Sequence, residues 1–202
     1  MLPDRNMVFN KAFVLVSLGC LAICAYGSVI PGRCPVVPVK TDFQPDRYLG
    51  VWYEIRKYFS ISDYGLNCSK TNVTKLGTNL YRLDNSATGL DKNGNKTALN
   101  TSAAAYAPNP SIPAKLSVLF GKSAYSPASD YWIVDSDYTN FTIVWSCRNV
   151  ASGLLHNAHA WVISRNITGF SPEVEAKIDA SLSKSNIDST LFRQTVQTGC
   201  VN

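Results

Sequence analysis

Short runs of alternating apolar and polar residues predict β-strands along most of this chain. Turn residues separate the runs, and Asp91 to Gly94 has the Asn-Gly chemistry of a tight hairpin. The predicted strands cover residues 48–58, 67–76, 80–83, 96–107, 115–120, 130–134, 141–147 and 155–165, with further turns at 77–79 and 85–89. About eight strands at such regular spacing indicate an all-β sandwich or barrel.

One helix is predicted near the C-terminus. Ser171 is a favourable N-cap, and Pro172 suits the first helical position. Val174, Ile178 and Leu182 follow at helical spacing and form a narrow apolar stripe. Such a stripe would dock the helix against the outer face of the sheet.

The N-terminal segment has the features of a secretory signal peptide. Residues 12–25 form an apolar run behind Arg5 and Lys11, and the run is shorter than the roughly 20 residues of a membrane span. Small residues follow, so we predict cleavage after Gly27, with residues 1–27 removed and residues 28–202 forming a single secreted domain. A signal anchor is the alternative. No later segment is apolar and long enough to cross a bilayer.

The charge pattern does not favour nucleic acid as a partner. Cleavage removes Asp4, Arg5 and Lys11, which lowers the formal net charge from +5 to +4. The remaining basic residues are scattered along the chain. Nucleic-acid binding would require a clustered basic face.

Cysteine usage agrees with secretion. Four cysteines remain after cleavage: Cys34, Cys68, Cys147 and Cys200. An even number in a secreted chain predicts two disulfides, with three possible connectivities. No CxxC pair is present, so we expect no zinc site.

N-glycosylation sequons predict a glycoprotein whose modified positions face solvent. The candidate acceptors are Asn72, Asn95, Asn100, Asn140 and Asn166.

Catalytic and metal-binding motifs are absent from the sequence. There is no GxSxG nucleophile elbow. His156 and His159 are three residues apart on a predicted strand, so they point to opposite faces and cannot grip one metal ion. Asp135 and Asp137 share a strand face, but we assign them to backbone groups of the turn near Tyr138 rather than to acid–base chemistry. We expect no enzyme activity and no required cofactor.

Aromatic residues recur within the predicted strands. They are Trp52, Tyr58, Phe120, Tyr131, Trp132, Trp145 and Trp161. In a sandwich they would be ordinary core. In a closed eight-stranded barrel they could instead line a cavity for one small apolar ligand.

Three motifs in order resemble those of the lipocalin family. Residues 50–54 (GVWYE) resemble its Gly-x-Trp signature, residues 135–138 (DSDY) its second motif, and residues 161–166 (WVISRN) its third. The resemblance covers essentially all of residues 34–200. Within the family the chain is most similar to the branch of apolipoprotein D, insect Lazarillo and the bilin-binding proteins.

This resemblance implies an eight-stranded antiparallel up-and-down barrel, the lipocalin calyx, with one flanking C-terminal helix. It implies the pairings Cys34–Cys147 and Cys68–Cys200. It also gives structural roles to Gly50, Trp52, Asp137 and Arg165, with Arg165 lying across the face of Trp52 at the closed end. A guanidinium over an indole would contribute roughly 0.5–2 kcal/mol.

Family analogy and strand parity together predict the residues that face the ligand. The apolar candidates are Trp161, Tyr131, Phe120, Val118, Ile133 and Ile163. Glu54 and Arg56 lie two and four residues after Trp52, so they should share its face of the strand, and we expect them to be polar groups inside the pocket. Arg56 would then pair with a carboxylate on the ligand.

The function implied by the resemblance is that of a secreted carrier for a small hydrophobic molecule such as a fatty acid, sterol or retinoid. One alternative is a pigment protein that binds biliverdin. Another is an interaction protein whose open-end loop, Phe59 to Ile61, contacts a membrane or a receptor. An enzyme of this family would need a pocket thiol, and all four mature cysteines are assigned to disulfides.

Overall fold

The computed structural model describes residues 29–60, 63–120 and 128–201. The predicted signal peptide therefore lies outside the described residues, as does Ile61 of the open-end loop. Within the described residues, no helix is long and apolar enough to span a membrane.

Ten strands and two α-helices make up the described chain. The strands are β1 Val29–Pro31, β2 Gly50–Tyr58, β3 Asn67–Gly77, β4 Leu80–Leu90, β5 Lys96–Tyr106, β6 Lys115–Phe120, β7 Ser129–Ser136, β8 Phe141–Val150, β9 Leu155–Ser164 and β10 Phe192–Gln194. The helices are α1 Pro45–Tyr48 and α2 Pro172–Lys184.

The sheet closes into a barrel. Each strand from β2 to β8 pairs antiparallel with the next in sequence, and β9 pairs back onto β2. The predicted eight-stranded antiparallel barrel with one flanking helix is therefore confirmed. Two short strands lie outside this cycle: β1 extends the sheet beside β9, and β10 pairs with β2.

Side chains pack into two separate apolar clusters, one inside the barrel and one outside it. The inner cluster contains Trp52 and Ile133, both fully buried. The outer cluster lies between the sheet and α2, where Ile178 and Leu182 pack with Trp145 of β8. The predicted helical stripe is thus the docking face of α2, because amphipathic spacing places these residues on one side.

The C-terminal segment fills a gap between β2 and β3. These two strands pair only from Gly50 to Tyr53. Beyond that point, β10 runs beside β2, and the Cys68 N–H of β3 donates to the Val196 carbonyl at 2.8 Å. The tail therefore widens the barrel at the end where β2 and β3 separate, which is its open end.

Two disulfides anchor the ends of the described chain. Cys34 bonds to Cys147 of β8, and Cys68 of β3 bonds to Cys200. These are the pairings that the family resemblance implies. The second bond holds the C-terminal segment in the gap between β2 and β3.

The predicted turn at residues 85–89 is wrong, since β4 continues through it to Leu90. Its backbone pairs with β3 on one side and with β5 on the other. Asn85, Ser86 and Gly89 have low strand propensity, but Asn85 lines an interior cavity rather than a packed core. Tertiary pairing therefore overrides the local preference for a turn.

Candidate functional site

Trp52 is fully buried at the closed end of the barrel. Its indole N–H donates to the Tyr48 carbonyl at 2.8 Å, and its ring stacks on the Tyr48 ring with centroids 5.3 Å apart. The guanidinium carbon of Arg165 lies 3.7 Å from the indole centroid. The indole N–H of this large buried ring therefore has a hydrogen-bond acceptor, and the guanidinium covers one face of the ring.

Arg165 binds two backbone segments at the closed end of the barrel, residues 47–51 and the turn between β7 and β8. Its guanidinium donates to the carbonyls of Val51 and Leu49 at 2.8 Å each, and to those of Arg47 and Tyr138 at 3.2 Å each. Burial lowers the pKa of this guanidinium from its usual value. It stays a cation at physiological pH, because the normal pKa of arginine lies far above that range.

Gly50 allows this close approach. Its φ of +95° is a conformation that side chains disfavour, and a Cβ there would lie 3.3 Å from a guanidinium nitrogen of Arg165. Asp137 organises the neighbouring β7–β8 turn by accepting from the backbone N–H groups of Thr139, Asn140 and Phe141. Desolvation raises the pKa of its carboxyl, but these bonds and one from the Asn140 amide outweigh it, so the pKa is lowered.

A cavity of about 350 Å³ lies above Trp52 and opens between the ends of the strands. Six of the eight predicted ligand-facing residues line it: Trp161, Tyr131, Phe120, Val118, Ile163 and Glu54. Phe120 stands at the mouth and is half exposed. Trp161 stacks on His159, whose pKa is lowered chiefly by burial and partly restored by Asp63.

Ile133 does not reach the cavity wall. It is fully buried in the inner cluster that also contains Trp52. Strand alternation predicted that Ile133 points into the barrel, and it does. It lies in the packed part of the interior and not beside the cavity.

Arg56 lies outside the cavity, which corrects the prediction of an interior arginine. Its guanidinium bonds to Glu175 of α2 at 2.9 Å and lies 3.7 Å from Asp179. The cause is a register shift between β2 and β9, where Glu54 pairs with Ile163 but Arg56 pairs with Val162. This β-bulge reverses the alternation of the strand, so that Lys57 faces inward instead.

The cavity lining includes five charged residues, of which strand alternation identified only Glu54. The lining includes the lysines Lys57 and Lys70 and the acids Glu54, Asp63 and Asp130. The Lys57 amine lies 3.0 Å from a Glu54 carboxylate oxygen and 3.5 Å from one of Asp63. Burial raises the pKa of Asp130, although Lys115 and Arg148 oppose the shift.

A phenol pair lies at the inner end of the cavity. The hydroxyls of Tyr48 and Tyr131 are 2.8 Å apart. Tyr131 lines both the main cavity and a small apolar pocket beneath it, whose wall includes Tyr48. Burial raises the pKa of both phenols, that of Tyr131 to about 12. Tyr48 was predicted at the start of the first strand and was not identified as part of the site; in the structure it is the last residue of α1, and the strand begins at Gly50.

The remaining predicted features fall on the barrel surface. Asn95, Asn100, Asn140 and Asn166 are exposed, and Asn72 is partly buried. Phe59 of the open-end loop is partly buried as well. Within the described residues, no group of His, Cys, Asp and Glu could hold a metal ion.

Comparison with known proteins gives consistent matches. The model of the lipocalin / cytosolic fatty-acid binding protein family matches residues 49–199. Apolipoprotein D of Oryctolagus cuniculus is 32% identical over 169 residues, which covers 84% of this chain and 85% of the relative. The Lazarillo protein of Schistocerca americana is 26% identical over 188 residues, which covers 93% of this chain and 83% of the relative.

Solved structures share the fold. Lobster apocrustacyanin A1 superposes with a TM-score of 0.65 at 25% identity and covers 85% of this chain and 92% of its own. Insecticyanin from the tobacco hornworm Manduca sexta superposes with a TM-score of 0.72 at 21% identity. The match covers 84% of this chain and 88% of insecticyanin. The second likeness, at that identity, shows the fold alone.

Proposed function

The chain belongs to the lipocalin family, and from that premise we propose that it is a secreted carrier that holds one small hydrophobic molecule inside its barrel. The single observation that carries the proposal is the 350 Å³ cavity behind an aromatic and aliphatic wall. Burial of apolar ligand surface there would contribute roughly 25 cal/mol per Å², before the costs of association. The proposal includes no catalytic step and no cofactor.

Cavity size and charge favour a single acyl chain or a compact ring system, such as a fatty-acid derivative, sterol or retinoid. The volume is near the lower end of the range of about 300–1,000 Å³ for ligand pockets. The lining includes three carboxyl groups and two lysines, and the amine of Lys57 lies within 3.5 Å of two of the carboxyl groups. Biliverdin, the alternative, carries four rings and two propionates, so it needs more space and free cations.

Ligand binding is tested by replacing Trp161, the aromatic residue of β9 on the cavity wall. We expect Trp161→Ala to weaken binding of a lipid probe such as retinol at least tenfold, about 1.4 kcal/mol, because an aromatic contact and its buried area are lost. The measurement is a titration of delipidated protein. Trp132→Ala is the matched control, since Trp132 packs against the outer apolar cluster and does not line the cavity. Equal affinities in all three proteins would reject the cavity as the binding site.

The secretory part of the proposal rests on the predicted signal peptide, the two disulfides and the exposed sequons. Expression of the full chain in animal cells should release it into the medium with residue 28 at its N-terminus. Treatment with a peptide N-glycosidase should then lower its apparent mass. Retention of residues 1–27 in a membrane-bound product would instead identify a signal anchor.

A further inference from the structure

The Tyr48–Tyr131 pair lies where the main cavity meets the small apolar pocket below it. The pair has two hydroxyl protons and one bond between its oxygens, 2.8 Å long. Among the described residues the structure gives neither hydroxyl another hydrogen-bond partner. One proton makes the bond, so one O–H donor is left over. When the Tyr48 hydroxyl donates to Tyr131, the remaining O–H belongs to Tyr131, which is the member of the pair that lines the main cavity.

The surroundings of the pair are apolar. Phe43, Pro45, Val73, Leu83 and Leu116 line the pocket below it, together with the ring of Tyr81. The positive charge of Arg165 interacts electrostatically with the Tyr48 phenol. Its guanidinium, however, already donates to four backbone carbonyls. An anionic group at this depth would therefore lose its hydration without gaining a free cation. Burial also keeps both phenols protonated at physiological pH, so the pair acts as a neutral donor.

A donor without a partner in an apolar site is costly when an apolar ligand covers it, and favourable when the ligand supplies an acceptor. We propose that the Tyr48–Tyr131 pair selects uncharged ligands with an acceptor oxygen at one end, such as esters, ketones, aldehydes or alcohols, and that these enter oxygen-first. This inference rests on the proposed carrier function. The inference specifies the chemical class of the ligand and which end of the ligand lies deepest in the cavity.

The test compares methyl laurate with tetradecane, which has the same backbone length but no acceptor, and with laurate, which is charged. Affinities are measured on delipidated full-chain protein by competition with an environment-sensitive fluorophore. We expect methyl laurate to bind more tightly than either of the others. In Tyr131→Phe the preference for the ester over the alkane should fall about fivefold, the equivalent of one net hydrogen bond.

Two further variants distinguish loss of the hydroxyl donor from a general change in protein structure. Tyr48→Phe/Tyr131→Phe removes both hydroxyls and leaves no unpaired group, so it should fold and also lose the preference. Tyr58→Phe is the control, because the Tyr58 hydroxyl donates to the Asp188 carbonyl outside the barrel. The C=O stretching band of the bound ester gives an independent readout. It should lie at lower frequency in the parent than in Tyr131→Phe.

The outcomes separate the two proposals. If ester and alkane bind equally well to the parent and Tyr131→Phe changes neither, the donor role is overturned while the carrier function stands. If laurate binds most tightly, the selection of uncharged ligands is overturned. If none of the three binds to any variant, both proposals fail.

Discussion

Replacement of Trp52 by alanine should lower the free energy of unfolding by about 3–5 kcal/mol, the range for deletion of a fully buried large aromatic side chain. The indole is completely enclosed, stacks on Tyr48 and contacts the Arg165 guanidinium. Alanine would leave a cavity at the closed end and remove all of these contacts. Neighbouring side chains can collapse only partly into the space, because the barrel strands hold their backbones in place.

The matched control is Trp132→Ala. Trp132 also has a cation over its ring, with the Lys115 amine 4.2 Å from the centroid, but it is only partly buried on the outer face. We expect it to lose less than half as much stability as Trp52→Ala. Chemical denaturation of both variants makes the comparison. Equal transition midpoints for Trp52→Ala and the parent would contradict a structural role at the closed end.

The two cavity tryptophans should show opposite behaviour. Trp52→Ala should destabilise the protein while keeping the order of preference among ligands, because Trp52 forms the floor and its ring is held by protein groups. Trp161→Ala should weaken ligand binding with a small effect on unfolding, because Trp161 is only partly buried and borders open space. These two outcomes together would assign ligand selectivity to the cavity wall and stability to the closed end.

The features predictable from sequence are those set by local periodicity or by short motifs. The apolar stripe of α2 fixed its docking face because three residues at helical spacing must share one side. Gly50 and Trp52 were identified through their resemblance to the Gly-x-Trp motif, and such a motif is short because a backbone conformation and a large buried ring each require a particular residue type. Alternation also placed Val118 and Ile163 inside, since each lies on a strand that pairs regularly at that point.

Features that depend on irregular pairing could not be predicted. Nothing in the residues around Ile55 marks the bulge, yet it moves Arg56 to the outer face and Lys57 to the inner one. A single unpaired residue is enough, because side chains alternate with a period of two. The phenol pair was missed for a related reason: Tyr48 and Tyr131 are 83 residues apart, and only the closed barrel brings them together.

Arg165→Met should cost about 3 kcal/mol or more of unfolding free energy, although methionine retains much of the apolar contact with Trp52. The guanidinium donates to four carbonyls, and hydrogen bonds to charged groups are each worth about 1.5–3 kcal/mol net. Partial access of water to the exposed carbonyls keeps the sum below four full bonds. Arg165→Lys should recover little, because an ammonium cannot span this set of acceptors.

Arg47→Met is the control for loss of a cation at the closed end. Arg47 is exposed, and its guanidinium carbon lies 4.3 Å from the Tyr138 ring centroid, so its loss should cost less than about 1 kcal/mol. A double-mutant cycle of Arg165→Met with Trp52→Ala should reveal coupling of about 0.5–2 kcal/mol. Strict additivity would mean that Arg165 acts only on the carbonyls. Arg165 would then clamp the backbone around the indole without stabilising the indole itself, and the aromatic floor would depend on Tyr48 alone.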